Sequence, residues 1–199
     1  MKKVFSILDE EPVLSNTGTI TPDMHNNNVI EFDKVNFSYG RERVLHDVSF
    51  SINKGEKIAI VGETGAGKST IAKLILRFYL PNEGDVNFYG ESSREVSQKW
   101  ARKNIAYVPQ ESFLFRGSIK NNLIYSNPEG IDLEQELQEI GVLDWFERYE
   151  NGLDQEVGER GANVSAGERQ FIALLRAVLA KREIIVFDEA TANLDIESE

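Results

Sequence analysis

Cysteine, long apolar runs and an excess of basic residues are all missing from this sequence of 199 residues. Without cysteine the chain forms neither a disulfide framework nor a thiolate metal site, which excludes a disulfide-stapled scaffold. The most apolar stretches, IAKLILRFYL and FIALLRAVLA, are about half as long as a membrane span and contain Lys73, Arg77 and Arg176. The N-terminal MKKVFSILDEEP lacks the apolar segment of a signal peptide. We therefore expect any membrane association to depend on a partner or on a further segment.

The charge balance is acidic. Lys and Arg total 22 against 33 Asp and Glu, which gives a formal net charge of −11. Proteins that bind nucleic acid generally present a basic surface, so we expect no nucleic-acid partner, although a local basic patch is compatible with these numbers. Hydrophobic residues make up 41% and charged residues 28% of the chain. These are ordinary values for a globular protein with a real core and one domain or a domain with sub-domains.

The pattern of the chain changes near residue 29. Residues 12–28 are rich in Pro, Thr, Asn and Gly, so we predict a linker over 1–28. Residues 29–39 and 44–52 then alternate apolar and polar side chains, as half-exposed strands do. The two segments predict an antiparallel sheet with one face in water.

Three short continuous apolar runs predict strands buried on both faces. They are KIAIV at 57–61, IAYV at 105–108 and IIVF at 184–187. Helical periodicity follows or separates these runs. It covers 69–79, 132–140 and 165–180. Buried strands that alternate with helices indicate an α/β fold, and the mostly helical pattern from about 113 to 163 predicts an insertion.

A phosphate-binding loop follows the first apolar run. GETGAGKST fits the pattern GxxxxGK[ST] at every fixed position, and it stands between a predicted strand and a predicted helix. Glycines let backbone N–H groups turn toward phosphate oxygens, Lys68 can reach the β- and γ-phosphates, and the Ser69 hydroxyl can bind Mg²⁺. The alternative is a glycine-rich turn matched by chance, and the flanking elements favour the nucleotide. The predicted nucleotide-binding residues are Gly62, Thr64, Gly65, Ala66, Gly67, Lys68, Ser69 and Thr70.

Two acidic residues end the last apolar run, in IIVFDE. Strand ends at the carboxyl edge of an open α/β sheet form its ligand crevice. There Asp188 can hold the Mg²⁺ shell, and Glu189 can polarise a water for attack on the γ-phosphate. The pair alone is more simply a strand end meeting solvent. Because the same chain carries a phosphate loop, we favour the catalytic interpretation.

A second anion-directed feature lies about a hundred residues after the phosphate loop, in VSAGERQ. Ser165 is a good N-cap, and Glu168 three residues later completes a capping box. Because free N–H groups and the helix dipole point outward at such a start, it also attracts anions. The sequence therefore holds two candidate phosphate contacts.

Together these motifs resemble the nucleotide-binding domain of an ATP-binding cassette (ABC) transporter. The resemblance runs from about residue 29 to 199, and it rests also on Gln110 in YVPQESFLF and on ATANLD, which ends at Asp195. It implies a P-loop NTPase core with a mainly parallel sheet, an N-terminal antiparallel β sub-domain and an inserted α-helical sub-domain. The implied limits are 1–28 for a linker from a membrane domain, 29–112 and 164–199 for the ATP-binding core, and 113–163 for the helical sub-domain.

The resemblance also implies roles for single residues. Tyr39 is expected to stack on adenine, and Gln110 to contact Mg²⁺ and water and to sense the membrane partner. Without the family, Tyr39 is as readily a strand aromatic, and Gln110 is more simply a solvated loop amide. The implied catalytic residues are Glu189, Lys68 and Gln110, and the implied Mg²⁺ ligands are Ser69, Gln110 and Asp188.

Family members pair head to tail with ATP between two subunits, which explains the second anion-directed feature. The phosphate loop of one subunit grips ATP, and the VSAGE stretch of the other closes over the γ-phosphate. Ser165, Gly167 and Glu168 are therefore expected to contact the ATP of the partner, an identical or a different domain, and Asp195 to lie at the dimer seam. The common family pattern is LSGGQ, so Glu168 adds a negative charge here. We expect this charge to weaken closure modestly.

FLFRGSIKNNL at 113–123 and the EVGERG segment resemble the exporter branch, where such segments meet loops of the membrane domain. EVGERG alone is more simply a charged surface loop. FSILDEEP also resembles the exit from a last membrane helix. We therefore expect an exporter domain on the cytoplasmic side of the membrane, attached through a transmembrane domain outside this chain.

Family members usually continue beyond the point where this chain stops, with a further strand and a switch histidine. His25 and His46 both precede Asp195, so neither is expected to take that role. We expect a chain cut before the switch to bind ATP and turn it over poorly. Two alternatives stay open: a regulatory cassette that hardly hydrolyses ATP, and a cassette ATPase of DNA repair or translation.

Overall fold

A computed structural model describes residues 18–126 and 131–188. The chain divides into two compact units, Met1–Lys103 and Asn104–Glu199. The predicted roles of Glu189 and Asp195, and the linker prediction up to residue 17, lie outside the described residues.

The first unit is built on a four-stranded antiparallel sheet in the order β2-β1-β3-β4. Its strands are β1 Asn28–Tyr39, β2 Glu42–Asn53, β3 Glu83–Phe88 and β4 Glu91–Ser92. The antiparallel pairing of β1 with β2 was predicted and is confirmed. A β-bulge between Phe32 and Val35 shifts the register by which β1 pairs, so that Phe32, Val35 and Phe37 are all buried despite the uneven spacing.

Two helices complete the first unit, α1 Lys68–Ile75 and α2 Gln98–Asn104. Helix α1 ends earlier than the predicted residue 79 because Arg77 takes a left-handed conformation with φ 53°. The Arg77 N–H donates to the Leu74 carbonyl (3.0 Å) and the Phe78 N–H donates to the Lys73 carbonyl (2.9 Å), which is the Schellman pattern of helix termination. The buried Arg77 guanidinium donates to the Val96 carbonyl and fixes this end in place.

The buried strand predicted at 57–61 is wrong. These residues are irregular, and Ile58, Ile60 and Val61 are 47%, 40% and 88% exposed. A strand forms where a neighbour completes its hydrogen-bond ladder, and within the first unit the sheet β2-β1-β3-β4 supplies no partner to this segment. The apolar pattern alone therefore did not decide its structure.

The second unit contains two parallel strands, β5 Ile105–Val108 and β8 Ile184–Phe187, in register from Ile105↔Ile184 to Val108↔Phe187. Both strands were predicted at these positions and are confirmed there, but the predicted burial on both faces is wrong for β8, because Ile185 and Phe187 are 36% and 50% exposed. Helix α5, Ala166–Leu179, packs on this pair, with Ala177 and Val108 in one buried cluster.

Short helices fill the part of the second unit between β5 and α5. Helices α3 Ile119–Leu123 and α4 Leu133–Glu139 alternate with the 3-10 helices Ile124–Ser126, Leu143–Arg148, Gly152–Asp154 and Glu159–Gly161. Strands β6 Gly117–Ser118 and β7 Glu156–Val157 pair antiparallel. One face of α5 joins these elements in a single apolar core. Its buried members are Leu114, Ile119, Leu123, Leu133, Leu137, Phe146, Val157, Val164, Ile172, Leu175 and Leu179.

Candidate functional site

The predicted phosphate loop lies on the surface of the first unit and leads directly into α1. Gly65 and Gly67 both take left-handed conformations, with φ 87° and 89°, which glycine adopts at little cost. At Gly67 a Cβ would also lie 2.6 Å from Leu45 Cδ2. The Ala66 N–H donates to the Glu63 carbonyl (3.1 Å) and closes a turn. The two glycines therefore let the backbone curl tightly before the helix begins.

Lys68 folds back across this loop. Its Nζ donates to the carbonyls of Gly62 (2.8 Å) and Glu63 (2.9 Å). An ammonium group has three donors, so a phosphate oxygen can join these two carbonyls around the same charge. The arrangement fits a nucleotide phosphate.

The N-terminus of α1 has no side-chain cap among the described residues. Gly67 is the N-cap residue, and within the described part of the chain no acidic residue stands in the first turn. The first N–H groups of a helix lack partners within the helix, and the dipole is positive there. Ser69, in the first turn, is half-buried. These features suit an anion with a bound cation.

Tyr39 lies at the end of β1 and contacts α1 within the first unit. Thr70 Oγ1 lies 3.4 Å from the Tyr39 hydroxyl, and Lys73 Nζ lies 5.5 Å from the ring centroid. The ring packs edge-on against Phe37 and Tyr79, with centroid distances of 4.8 and 5.3 Å. The structure thus brings Tyr39 to the helix that the phosphate loop opens, and adenine stacking by this ring stays a prediction.

Gln110 and Asp188 leave the same edge of the sheet in the second unit. Strands β5 and β8 are parallel and end in register at Val108 and Phe187. The Asp188 N–H donates to the Val108 carbonyl at 3.0 Å, which continues the ladder one residue further. Gln110 is exposed two residues beyond β5. Carboxylate and amide oxygens at one strand edge are suitable ligands for Mg²⁺.

Tyr107 is a member of this edge that the sequence analysis missed. Its hydroxyl donates to Asp188 Oδ2 at 3.2 Å. Burial, and then the Asp188 carboxylate, raise the pKa of Tyr107, so the hydroxyl stays protonated and remains a donor at neutral pH. Tyr107 pairs with Val186, and residues two apart lie on one face of a strand. Side chains of a strand alternate between its two faces, and this rule applied to β5 and β8 could have identified the contact.

The start of α5 has the capping box that was predicted. Ser165 is the N-cap: its Oγ accepts from the Glu168 N–H (3.2 Å), and Glu168 Oε2 accepts from the Ser165 N–H (2.8 Å). Burial raises the pKa of Glu168, but the hydrogen bonds with Ser165, together with Tyr149 and Arg148, outweigh it and lower the net pKa. The carboxylate is therefore ionised at neutral pH and is turned back onto its own helix. Ser165 is exposed and Gly167 is half-buried.

Aromatic side chains support this helix start. Arg148 lies over the Trp145 ring at 4.1 Å, and its Nε donates to the Trp145 carbonyl at 2.9 Å. Trp145 packs against Phe171 of α5, with centroids 4.4 Å apart. Burial, and then the nearby Glu168 carboxylate, raise the pKa of Tyr149, which Arg148 opposes. The positive charge of Arg148 therefore offsets part of the Glu168 charge.

The two exporter-like segments are neighbours within the second unit. Strand β6 comes from the first segment and β7 from the second, and Gly117 pairs with Val157. Close by in sequence stand three exposed rings, Phe113, Phe115 and Tyr125, which we call the aromatic patch. Phe115 stacks on Tyr125 at 4.3 Å and meets Phe113 edge-on at 5.1 Å. Their exposed fractions are 46%, 38% and 60%, respectively. Exposed apolar rings in contact are typical of interaction surfaces.

Comparison with known proteins identifies the family of this chain. The family model for ABC transporters matches residues 45–192. The chain belongs to the ABC transporter family. Within the family it is similar to the ATP-dependent lipid A-core flippase of Desulfotalea psychrophila, with 38% identity over 200 residues that cover 100% of this chain and 35% of the flippase. It is also similar to ATP-binding cassette sub-family B member 6 of Mesocricetus auratus, with 39% identity over 203 residues that cover 100% of this chain and 24% of the relative.

A solved structure also supports membership of this family. A bacterial Atm1-family ABC exporter with ATP bound matches with a TM-score of 0.88 and 36% identity, over 98% of this chain and 35% of that one. The P-loop NTPase α/β fold class is thereby shown, and the predicted antiparallel N-terminal sheet is present. The chain spans about a quarter to a third of the length of the relatives it matches. Within the part that the structure describes, no helix has both the length and the apolar character to cross a membrane.

Proposed function

We propose that this chain is the ATP-binding and ATP-hydrolysing domain of an ABC exporter. It works by pairing head to tail with a second nucleotide-binding domain, with ATP held between the two surfaces. The observation that carries the proposal is the phosphate loop, in which Lys68 lies against the Gly62 and Glu63 carbonyls at the start of an uncapped helix. Membership of the ABC transporter family and the likeness to an exporter with ATP bound support it.

In this proposal the phosphate loop, from Gly62 to Thr70, supplies ground-state binding. Its backbone N–H groups and the Lys68 ammonium bind the β- and γ-phosphates, and Tyr39 stacks on the adenine. Ser69, Gln110 and Asp188 hold Mg²⁺. The ion supplies neutralisation of the negative charge on the phosphate oxygens. The Tyr107 hydroxyl positions the Asp188 carboxylate by its hydrogen bond.

Hydrolysis is assigned to the residue after Asp188. Glu189 acts as the base that polarises the attacking water, and Gln110 orients that water. The pairing of β5 with β8 supports this division of roles, because Gln110 and Asp188 leave the same strand edge. The ATP-binding core is proposed as 29–112 with 164–199, and 113–163 as the helical sub-domain.

The partner domain meets the start of α5. Ser165 and Gly167 contact the γ-phosphate of the partner's ATP, and Glu168 keeps the capping box closed around Ser165. Asp195 lies at the seam between the two domains. Because the capping box holds this helix start in place, the Ser165 hydroxyl is offered as a preformed contact.

The transmembrane domain of the exporter is the second partner, on the cytoplasmic side of the membrane. The aromatic patch and the pairing of β6 with β7 support this proposal, since they place apolar rings beside both exporter-like segments. Loops of a membrane domain with apolar side chains suit such a surface.

The first test is retention of Mg-ATP. Purified chain should bind Mg-ATP in equilibrium dialysis or calorimetry, and Lys68→Ala should weaken binding by about a hundredfold, because it removes a charge-assisted contact to phosphate. Asp47→Ala, at a left-handed position within β2 of the first unit, serves as a control for folding. Equal retention by the Lys68→Ala protein would overturn the proposal.

The second test is ATP-dependent dimerisation, followed by sedimentation. Glu189→Gln should trap a dimer with Mg-ATP, since binding persists while hydrolysis is blocked. A chain that binds ATP but neither dimerises nor hydrolyses it with a cognate partner is instead a regulatory cassette. Tight binding of duplex DNA at physiological salt would favour a cassette ATPase of DNA repair.

A further inference from the structure

Arg176, in the last turn of α5, holds the chain segment that carries the aromatic patch. Its Nε donates to the Asn122 carbonyl (2.9 Å), its Nη2 donates to Asn122 Oδ1 (2.9 Å), and its Nη1 donates to the Phe113 carbonyl (3.2 Å). The guanidinium also lies 5.5 Å from the Phe115 ring. One side chain thus binds two main-chain carbonyls and one ring of the same segment.

Asn122 extends this contact inward and is almost fully buried, with 1% exposed. Its amide nitrogen donates to the carbonyls of Phe115 (2.9 Å) and Ser118 (3.1 Å), and its Oδ1 also accepts from the Phe115 N–H (2.8 Å). The amide therefore uses both of its donors and both acceptor positions. A buried polar network that is fully connected is rigid, and its members move together.

The other end of α5 is the capping box. Ser165 begins the helix and Arg176 lies in its last turn, so the two contacts stand eleven positions apart on one continuous helix, Ala166–Leu179. The fork of an arginine has a fixed planar geometry, and a displacement of its acceptors is passed to its own helix more directly than through a flexible ammonium. Ile119 and Leu123 also pack with α5 in the common core, but apolar contacts lack this directional geometry.

We propose that Arg176 is a positioning residue that couples the aromatic patch to the Ser165 end of α5. A displacement of the patch then moves the Ser165 contact to the partner's ATP. The proposal rests on the proposed function, because it assigns that contact to Ser165. It goes further by naming the side chain through which the two surfaces communicate.

The main experiment is a double-mutant cycle in the full chain carrying Glu189→Gln. Arg176→Lys, which keeps the charge and loses the fork, should weaken Mg-ATP-dependent dimerisation about tenfold while Mg-ATP affinity of the monomer stays the same. Tyr125→Ala should change dimerisation when Arg176 is present and should have no further effect beside Arg176→Lys. The control is Lys181→Met, which removes a positive charge near the same helix end, where Lys181 forms an ion pair with Glu136.

A second readout does not depend on ATP. The backbone amide resonances of Gly167 and Glu168 should shift in Tyr125→Ala and should not shift when Arg176→Lys is also present. The proposal would be overturned if Arg176→Lys dimerises like the wild type and if Tyr125→Ala changes dimerisation equally in both backgrounds. A uniform loss of amide protection across the second unit in Arg176→Lys would also overturn the proposal, since it would indicate that Arg176 has a merely structural role. If the Glu189→Gln chain fails to dimerise, the proposed function fails, and the amide resonances still decide the role of Arg176.

Discussion

The proposed function assigns one phosphate contact to the start of α1 and another to the start of α5, and the two starts are built in opposite ways. Helix α1 begins after the left-handed Gly67, and no described side chain caps it. Helix α5 begins at an extended Ser165 and closes a capping box with Glu168. In the second start the N–H groups of Ser165 and Glu168 donate to side chains, whereas in the first the Thr70 N–H donates to the Gly67 carbonyl. Under the proposed function, the uncapped start binds phosphate with its loop, and the capped start presents the Ser165 hydroxyl to the ATP of the partner.

The surroundings of the two starts differ in the same sense. The loop before α1 is exposed from 62 to 66, and its shape depends on left-handed glycines and on Lys68. The start of α5 is packed: Val164 is buried, and the Arg169 guanidinium donates to the carbonyls of Gly161 and Val164. Conformational freedom of glycine thus maintains the first start, and side-chain contacts maintain the second.

The largest effect on Mg-ATP affinity is expected from a change at Gly67. Gly67→Ala places a Cβ at φ 89° and 2.6 Å from Leu45 Cδ2, so we expect a loss of about 1–2 kcal/mol in the free energy of unfolding. Because the backbone of the loop shifts, Mg-ATP affinity should fall by about a hundredfold. Chemical denaturation and calorimetry measure the two effects.

Gly55→Ala is the matched control. Gly55 also has a left-handed φ, 80°, and no heavy atom of the described residues lies within 4 Å of its Cβ position. It should lose similar stability and keep its affinity for Mg-ATP. Equal loss of affinity in both variants would mean that the loop's shape is not what binds phosphate.

Sequence reasoning succeeded where a structure is decided locally. The alternation in β1 and β2, the positions of the strands IAYV and IIVF, and the Ser165 and Glu168 spacing were found as predicted. It failed at 57–61, because a strand needs a neighbour and the apolar pattern does not name one. It also overextended α1, because left-handed arginine at position 77 is not a usual helix stop.

The candidate site divides in the same way. The phosphate loop and the capping box were identified from spacing within a few residues. The Tyr107 contact with Asp188 joins residues 81 positions apart, and the Arg176 contact with Asn122 joins residues 54 apart. Such pairs depend on the register of β5 with β8 and on the packing of α5, which no short motif encodes.

Ser165→Ala is expected to have the intermediate effect. It removes the acceptor for the Glu168 N–H and should cost about 1 kcal/mol in the free energy of unfolding. Under the proposed function it also removes the contact to the partner's ATP, so dimerisation should weaken by more than the about fivefold that this stability loss corresponds to. Sedimentation with Mg-ATP measures it in the Glu189→Gln background.

Asp132→Ala separates cap from contact. Asp132 caps α4 in the same unit by accepting the Gln135 N–H at 3.2 Å, so its loss should lower stability by a similar amount. Dimerisation should remain at the wild-type level. If Asp132→Ala weakens dimerisation as much as Ser165→Ala, stability of the second unit explains both results.

Glu168→Gln is expected to have the smallest effect, and it isolates charge from capping. A glutamine oxygen can still accept the Ser165 N–H, so the helix start should keep its geometry. Removal of one negative charge near the γ-phosphate should tighten dimerisation about two- to fivefold at low salt, and less as salt rises. The lowered pKa of Glu168 means that this difference is constant from pH 6 to 9, within roughly the range where the carboxylate stays ionised.

The Glu168 carboxylate also predicts how stability changes in acid. A group with a lowered pKa in the folded state contributes stability that is complete above its unfolded pKa, 4.5, and that is lost as pH falls through the folded pKa. Wild type should therefore lose more stability than Glu168→Gln on acidification below 4.5. Denaturation at several pH values measures this. Identical acid profiles would show that the carboxylate does not hold the cap as an ion, and dimerisation that is unchanged at every salt concentration would remove the charge effect on closure. In either case the contrast between the uncapped start of α1 and the capped start of α5 would depend on Ser165 alone.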